Sequence, residues 1–133
     1  NVLKQLETSM ADFFWGASEI GPKHHWRRWR DLCFPTNEDG LGLRSFTNMQ
    51  NAFNCKLWWQ YHNTCSLWTR FMRSSYDVAA RGNRNFSRVW RSMLSVHTVV
   101  DQFSKDLDDQ GGKWVWTLTP SGQFSISSVV QLI

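Results

Sequence analysis

Apolar residues recur along this chain at two periods, and the change from one to the other divides it. From Val2 to Phe14 they fall at Leu3, Leu6, Met10, Phe13 and Phe14, the spacing of a single helical face, and Gly16 ends the run. Around Gly21 and Pro22 the pattern breaks, and the stretch from Trp26 to Cys33 is ambiguous, since Trp26, Trp29 and Cys33 share a face only if it is helical. Pro35 and the run from Thr36 to Leu43 predict a loop whose glycines allow close approach. Ser45 or Thr47 can then cap a helix with a stripe of Phe46, Met49, Phe53, Leu57 and Tyr61, widened by Trp58 and Trp59. Thr64 or Ser66 can cap another, Leu67 to Tyr76, with Leu67, Trp68, Phe71 and Met72 inward and Arg70 and Arg73 outward, so the two should form a hairpin. Beyond Arg81 to Asn85, a further helix carries Phe86, Val89, Trp90, Met93 and Leu94.

The period falls to two after the polar run from Ser104 to Gly112. Trp114, Trp116 and Leu118 alternate with Val115, Thr117 and Thr119; Pro120-Ser121-Gly122 reads as a turn, and Gln123 to Ser127 as the returning strand. Ser127 or Ser128 can cap a last helix that reaches Ile133. The expected fold is mainly α: a segment rich in helical hairpins, then a C-terminal β-hairpin and the start of a further helix. The expected organisation is a helical segment over 1–100, a linker over 101–112, and the hairpin with its following helix over 113–133.

Nine Trp, nine Phe and two Tyr in 133 residues supply enough ring area for a core and exclude a disordered tail. Up to Val100 there are thirteen Lys and Arg against seven Asp and Glu, and from Asp101 onward two against four, so the positive field belongs to the first three quarters. That charge suits a polyanionic partner, and it equally suits ordinary solubility. Cys33, Cys55 and Cys65 form no CxxC pair, which argues against a disulfide framework or a zinc ribbon and for an intracellular location, the nucleus included. Without a run of about 20 apolar residues, no membrane partner is expected. The first residue is not Met and the last residues are an apolar run, as in a piece of a longer protein.

Catalytic parts are not recognisable. Asp106, Asp108 and Asp109 sit in a polar stretch that reads as solvated, no phosphate-cradling glycine motif occurs, and no His/Cys pair has usual zinc-ligand spacing. Cys33 as a nucleophile with a histidine base would need a third, orienting group. No cofactor, metal or small-molecule ligand is expected. Two basic runs remain. Lys23, Arg27, Arg28 and Arg30 interleave with Trp26 and Trp29, a combination that grips phosphates and offers stacking faces; the plainer alternative anchors the tryptophans in the core and leaves the arginines in solvent. Arg84, Arg88 and Arg91 share one side of any helix they occupy, which equally describes a solvated face.

Several pieces, taken in order, resemble a known pattern: Phe14-Trp15-Gly16; Trp26, Trp29 and Cys33-Phe34-Pro35; Asp39-Gly40-Leu41-Gly42-Leu43-Arg44; Asn51-Ala52-Phe53 with Lys56-Leu57-Trp58-Trp59; Val89-Trp90-Arg91-Ser92-Met93-Leu94; and Trp116 followed by Gly122-Gln123-Phe124-Ser125-Ile126-Ser127-Ser128. The chain resembles the region after the polymerase core of plant LINE-type (non-LTR) retrotransposon reverse transcriptases. Asp39 departs from the pattern, which has glycine there, and the connection between Val100 and Gly112 is shorter than the family's. The resemblance implies a non-catalytic, thumb-like and connecting segment whose partners are an RNA/DNA template–primer and the remainder of the parent polymerase. It places the catalytic aspartates upstream and the zinc ligands downstream of this piece. It also implies that Trp26, Trp29, Trp58, Trp59 and Trp68 mainly hold the fold. The alternative is a decayed element or a protein-interaction segment without retained activity.

Overall fold

The computed structural model describes residues 2–18, 20–22, 24–76, 86–107 and 113–132. It divides into two compact units, Asn1–Met49 and Gln50–Ile133.

In the N-terminal unit, helix α1 (Val2–Trp15) ends at Gly16, whose φ of 81° suits a residue without a side chain. Two-residue strands β1 (Ala17–Ser18) and β2 (Gly21–Pro22) pair antiparallel, and a four-residue helix α2 (Trp29–Leu32) follows. The small core is Ala11, Trp29 and Leu32, with Trp15, Cys33, Leu43 and Phe46 packed around it. The inward line of α1 is therefore Leu3, Glu7, Ala11 and Trp15, each at least half-buried. The predicted face of Leu6, Met10 and Phe13 is exposed, Phe13 at 83%. Ala11 explains the difference, because a small side chain lets α2 approach where a ring would hold it away.

The loop after α2 folds back on itself through a 3-10 turn (Thr36–Glu38). Gly40 N donates to Pro35 O (3.1 Å), Leu41 N to Leu32 O (2.9 Å) and Gly42 N to Phe34 O (2.9 Å). Asp39 has φ 60°, in the left-handed region. That accounts for its departure from the resembled pattern: the position favours glycine, and Asp is among the residues that tolerate it. Gly40 is required for another reason, since it is buried against the Phe34 backbone.

Helix α3 (Phe46–Asn63) begins in the first unit and continues into the second. There it is followed by α4 (Leu67–Tyr76), α5 (Arg88–Leu94), α6 (His97–Gln102), strands β3 (Ser104–Asp106) and β4 (Trp114–Trp116), and α7 (Ile126–Val130). Ala52, Cys55, Trp58 and Tyr61 are the buried positions of α3, whereas Phe53 is half exposed. Rings lie on every side of this helix, and the face holding the two small residues wins the core. Helix α4 starts as predicted: Ser66 Oγ accepts from Thr69 N (3.2 Å) and Thr69 Oγ1 from Ser66 N (2.9 Å). Its inward residues are Thr69 and Met72, while Leu67 and Phe71, expected inside, are 83% and 63% exposed. Ser87 caps α5 by accepting from Trp90 N.

Two aromatic nodes fill the core of this unit. Trp90 stacks on Tyr76 (4.6 Å between centroids) and meets Tyr61 edge-on (5.3 Å). Trp116, fully buried, packs among Trp59, Phe103 and Phe124 and donates Nε1–H to Ser128 Oγ (2.8 Å).

The C-terminal hairpin is present, but with a different partner strand. β4 pairs with β3, Ser104 opposite Trp116 and Asp106 opposite Trp114, so part of the polar run expected to link is a strand. An edge strand needs only its backbone ladder, which no apolar periodicity announces. Gln123 to Ser125 return beside β4 without forming a strand; Trp116 N donates to Gly122 O (2.9 Å), and α7 begins at Ile126 and buries Val129. Helix onset comes earlier than Ser127 or Ser128 would give, and Ser128 instead satisfies the Trp116 indole. The mainly helical fold with a small antiparallel hairpin and a following short helix agrees with the sequence expectation.

Candidate nucleic-acid interface

Helix α2 and the segment before it place the first basic run. Arg27, Arg28 and Arg30 are all exposed, and Arg28 is the residue that precedes the first turn of α2. Arg27 is partly committed: its Nη1 donates to Asp39 O (2.7 Å) and ties the run to the glycine loop. His25 Nε2 lies 3.0 Å from Asp12 Oδ1 of α1. Lys23 and Arg84 lie outside the described residues.

The two tryptophans of the run part company. Trp29 is buried at 8% exposure and stacks on Phe46, as a fold anchor should. Trp26 is 76% exposed and touches His24 edge-on (5.1 Å), so it is not the core residue the sequence suggested. Trp58 is buried and Trp59 and Trp68 partly so, in keeping with a role in the fold.

Between α1 and α2 lies a hollow of about 270 Å³ where Lys4, His25, Arg28 and Arg30 converge against one acid, Glu7. Trp29 also lines it, with its indole Nε1 buried and without a hydrogen-bond partner. Cations around a shallow recess are the elements of an anion site, and a phosphate oxygen is the acceptor that such a set accommodates. Lys4 and His25 were not among the residues singled out from the sequence. The available signal was weak: Lys4 and Thr8 are exposed and flank the inward line of α1, a position that becomes meaningful only once α2 is docked.

In the C-terminal unit, Arg88 and Arg91 are exposed, one turn apart on α5. Arg73, expected in solvent, is half-buried instead; its guanidinium donates to Tyr61 O and lies over the Tyr61 ring (5.6 Å).

The cysteines are free thiols. Burial, and secondly the nearby Glu7 carboxylate, raise the Cys33 thiol, and burial pushes Cys55 up to about 11. Both therefore stay protonated near neutrality, opposite to what a thiolate nucleophile needs. Among the described residues no three His, Cys, Asp or Glu side chains gather as a metal site, and no helix is long and apolar enough to cross a membrane.

Comparison with known proteins yields two relatives, both from Arabidopsis thaliana. One, named "Putative ribonuclease H protein", is 31% identical over 101 residues, which is 70% of this chain and 16% of that protein. The other, an uncharacterised mitochondrial protein, is 30% identical over 99 residues, 68% of this chain and 64% of the relative. The chain is thus similar to plant proteins and matches only part of each, about a sixth of the first. No protein-family model matches it, and neither does any solved structure.

Proposed function

We propose that the chain is a non-catalytic segment of a plant LINE-type reverse transcriptase protein, and that its N-terminal unit holds the phosphate backbone of a template–primer duplex. The carrying observation is the hollow between α1 and α2, which Lys4, Arg28 and Arg30 line together with Trp29, while Trp26 stands exposed nearby in sequence. Phosphate contacts of this kind position a duplex without reading its sequence. The ordered motifs from Phe14-Trp15-Gly16 to Gly122-Gln123-Phe124 support the family. The relative's name, "Putative ribonuclease H protein", supports a nucleic-acid partner. On this reading the thumb-like part is 1–100, the connection 101–112 and the start of the next module 113–133. Polymerase chemistry belongs to the remainder of the parent protein, working in the nucleus.

The test is binding to a labelled primer–template at two or more salt concentrations. Changing Arg28 and Arg30 together to Gln should weaken binding and lower the salt slope by about 1.8, the loss of two phosphate contacts. An unchanged slope would refute the proposal. Arg27 is a poorer probe, since its bond to Asp39 O supports the loop.

A second reading, a decayed element or a protein-interaction segment, is favoured by one feature: Val2, Leu6, Met10 and Phe13 make an exposed apolar line along α1. It predicts concentration-dependent association without a cooperative melt, whereas the first predicts a melting monomer.

A further inference from the structure

One recess in the C-terminal unit has no part in the backbone contacts proposed above. It is a cleft of about 560 Å³ between the end of α3, β4 and the turn that follows β4. Its walls are aromatic: Trp59, Trp114 and Phe124. Trp59 and Phe124 are stacked (5.7 Å, 26°), and His62 is stacked on Trp114 (4.0 Å, 9°). Lys56 and Lys113, both exposed, stand in the lining, which among the described residues contains no carboxylate. Gln60, Asn63 and Gln123 add amides. Asn63 is held by accepting from Trp114 N (2.9 Å), and its Nδ2 is buried with no protein acceptor.

Each property narrows the ligand. Aromatic walls favour a planar, partly apolar group, and amides match the edge of a base, which presents donors and acceptors together. Two lysines, with no acid among the described lining residues, favour an anion over a cation. An unmet buried donor gains most from a carbonyl-type acceptor. A base within a duplex shows its faces only to its neighbours and cannot enter a recess, whereas an unpaired base can. We propose that the cleft takes an unpaired nucleotide of a single-stranded nucleic acid, its base against Trp59, Trp114 and Phe124 and its phosphates at Lys56 and Lys113. This site is separate from Arg28 and Arg30 and does not depend on them.

The experiment uses the whole chain and a labelled 5-bromouridine 12-mer, with binding followed by anisotropy and cross-links mapped after irradiation. Cross-links should fall on Trp59, Trp114 or Phe124. The double variant Lys56→Gln with Lys113→Gln should bind about tenfold more weakly and lose about 1.4 from its salt slope, the single-strand value for two contacts. Both lysines are exposed, so folding, checked by circular dichroism, should be unaltered. Gln60→Trp, which fills the cleft from α3 without changing charge, should weaken the strand as well. Cross-links confined to residues 24–30, or a double variant with wild-type affinity and slope, would overturn the proposal. Duplex binding lost in the Arg28/Arg30 variant with 12-mer binding intact keeps the two sites distinct, and a chain that binds duplex but no 12-mer sinks the cleft alone.

Discussion

Replacing Gly40 by Ala isolates the packing of the loop that brings Arg27 to Asp39. A Cβ built on Gly40 overlaps the carbonyl carbon and oxygen of Phe34 and lies 2.7 Å from its Cα. The obstacle is backbone, so no rotamer change relieves it, and residues 39–42 must move away from 32–35. That movement breaks the bonds from Gly40 N to Pro35 O, Leu41 N to Leu32 O and Gly42 N to Phe34 O. At about 1 kcal/mol each, the loss is about 3 kcal/mol, large for one methyl group. Gly42→Ala is the control. Its φ of 66° is left-handed but its nearest neighbour, Thr36 Cγ2, is 3.9 Å away, so conformational strain alone applies, about 1 kcal/mol. Amide hydrogen exchange reads the difference directly: protection at Leu41 and Gly42 should fall about 100-fold in Gly40→Ala and several-fold in Gly42→Ala. Equal exchange in the two variants would mean that the close approach does not hold this loop.

Three other variants test the C-terminal unit. Thr69→Val leaves Ser66 N and Thr64 O without their Oγ1 partner in a fully buried position and should cost about 2 kcal/mol in urea unfolding. Leu67→Ser with Phe71→Ser, a drastic pair if α4 packed as its sequence pattern suggests, should change stability by less than about 1 kcal/mol, because both side chains are exposed. Cys55 links stability to alkaline pH: with its thiol raised from 9.0 to about 11 in the folded state, the unfolded chain ionises first. Its contribution is whole below pH 9 and lost as pH rises to about 11, by about 3 kcal/mol, and Cys55→Ala should remove that component from the pH profile of unfolding.

Periodicity and capping chemistry located α1, α3, α4 and α5 within a residue or two, because a helix is set by contacts three or four residues apart. Gly16 as a stop, Ser66 as a cap and the strand at Trp114 were all legible for the same local reason. Which face of each helix turns inward was not. In α1 and α3 the core took the side with Ala11, and with Ala52 and Cys55, since close approach between elements favours small residues, while a tally of apolar residues favours rings. Helix α6 and strand β3 were missed because Val100 buries alone and an edge strand carries no apolar signature.

The candidate sites divide the same way. The sequence by itself determined that cations and tryptophans alternate between residues 24 and 30, and that Arg88 and Arg91 share a side. Only tertiary structure decided that Trp29 is buried while Trp26 is not, that Lys4 joins Arg28 and Arg30, and that Lys56 and Lys113 face one aromatic cleft. Residues 24 or 57 positions apart meet only when packing closes the chain, and no local period records that closure.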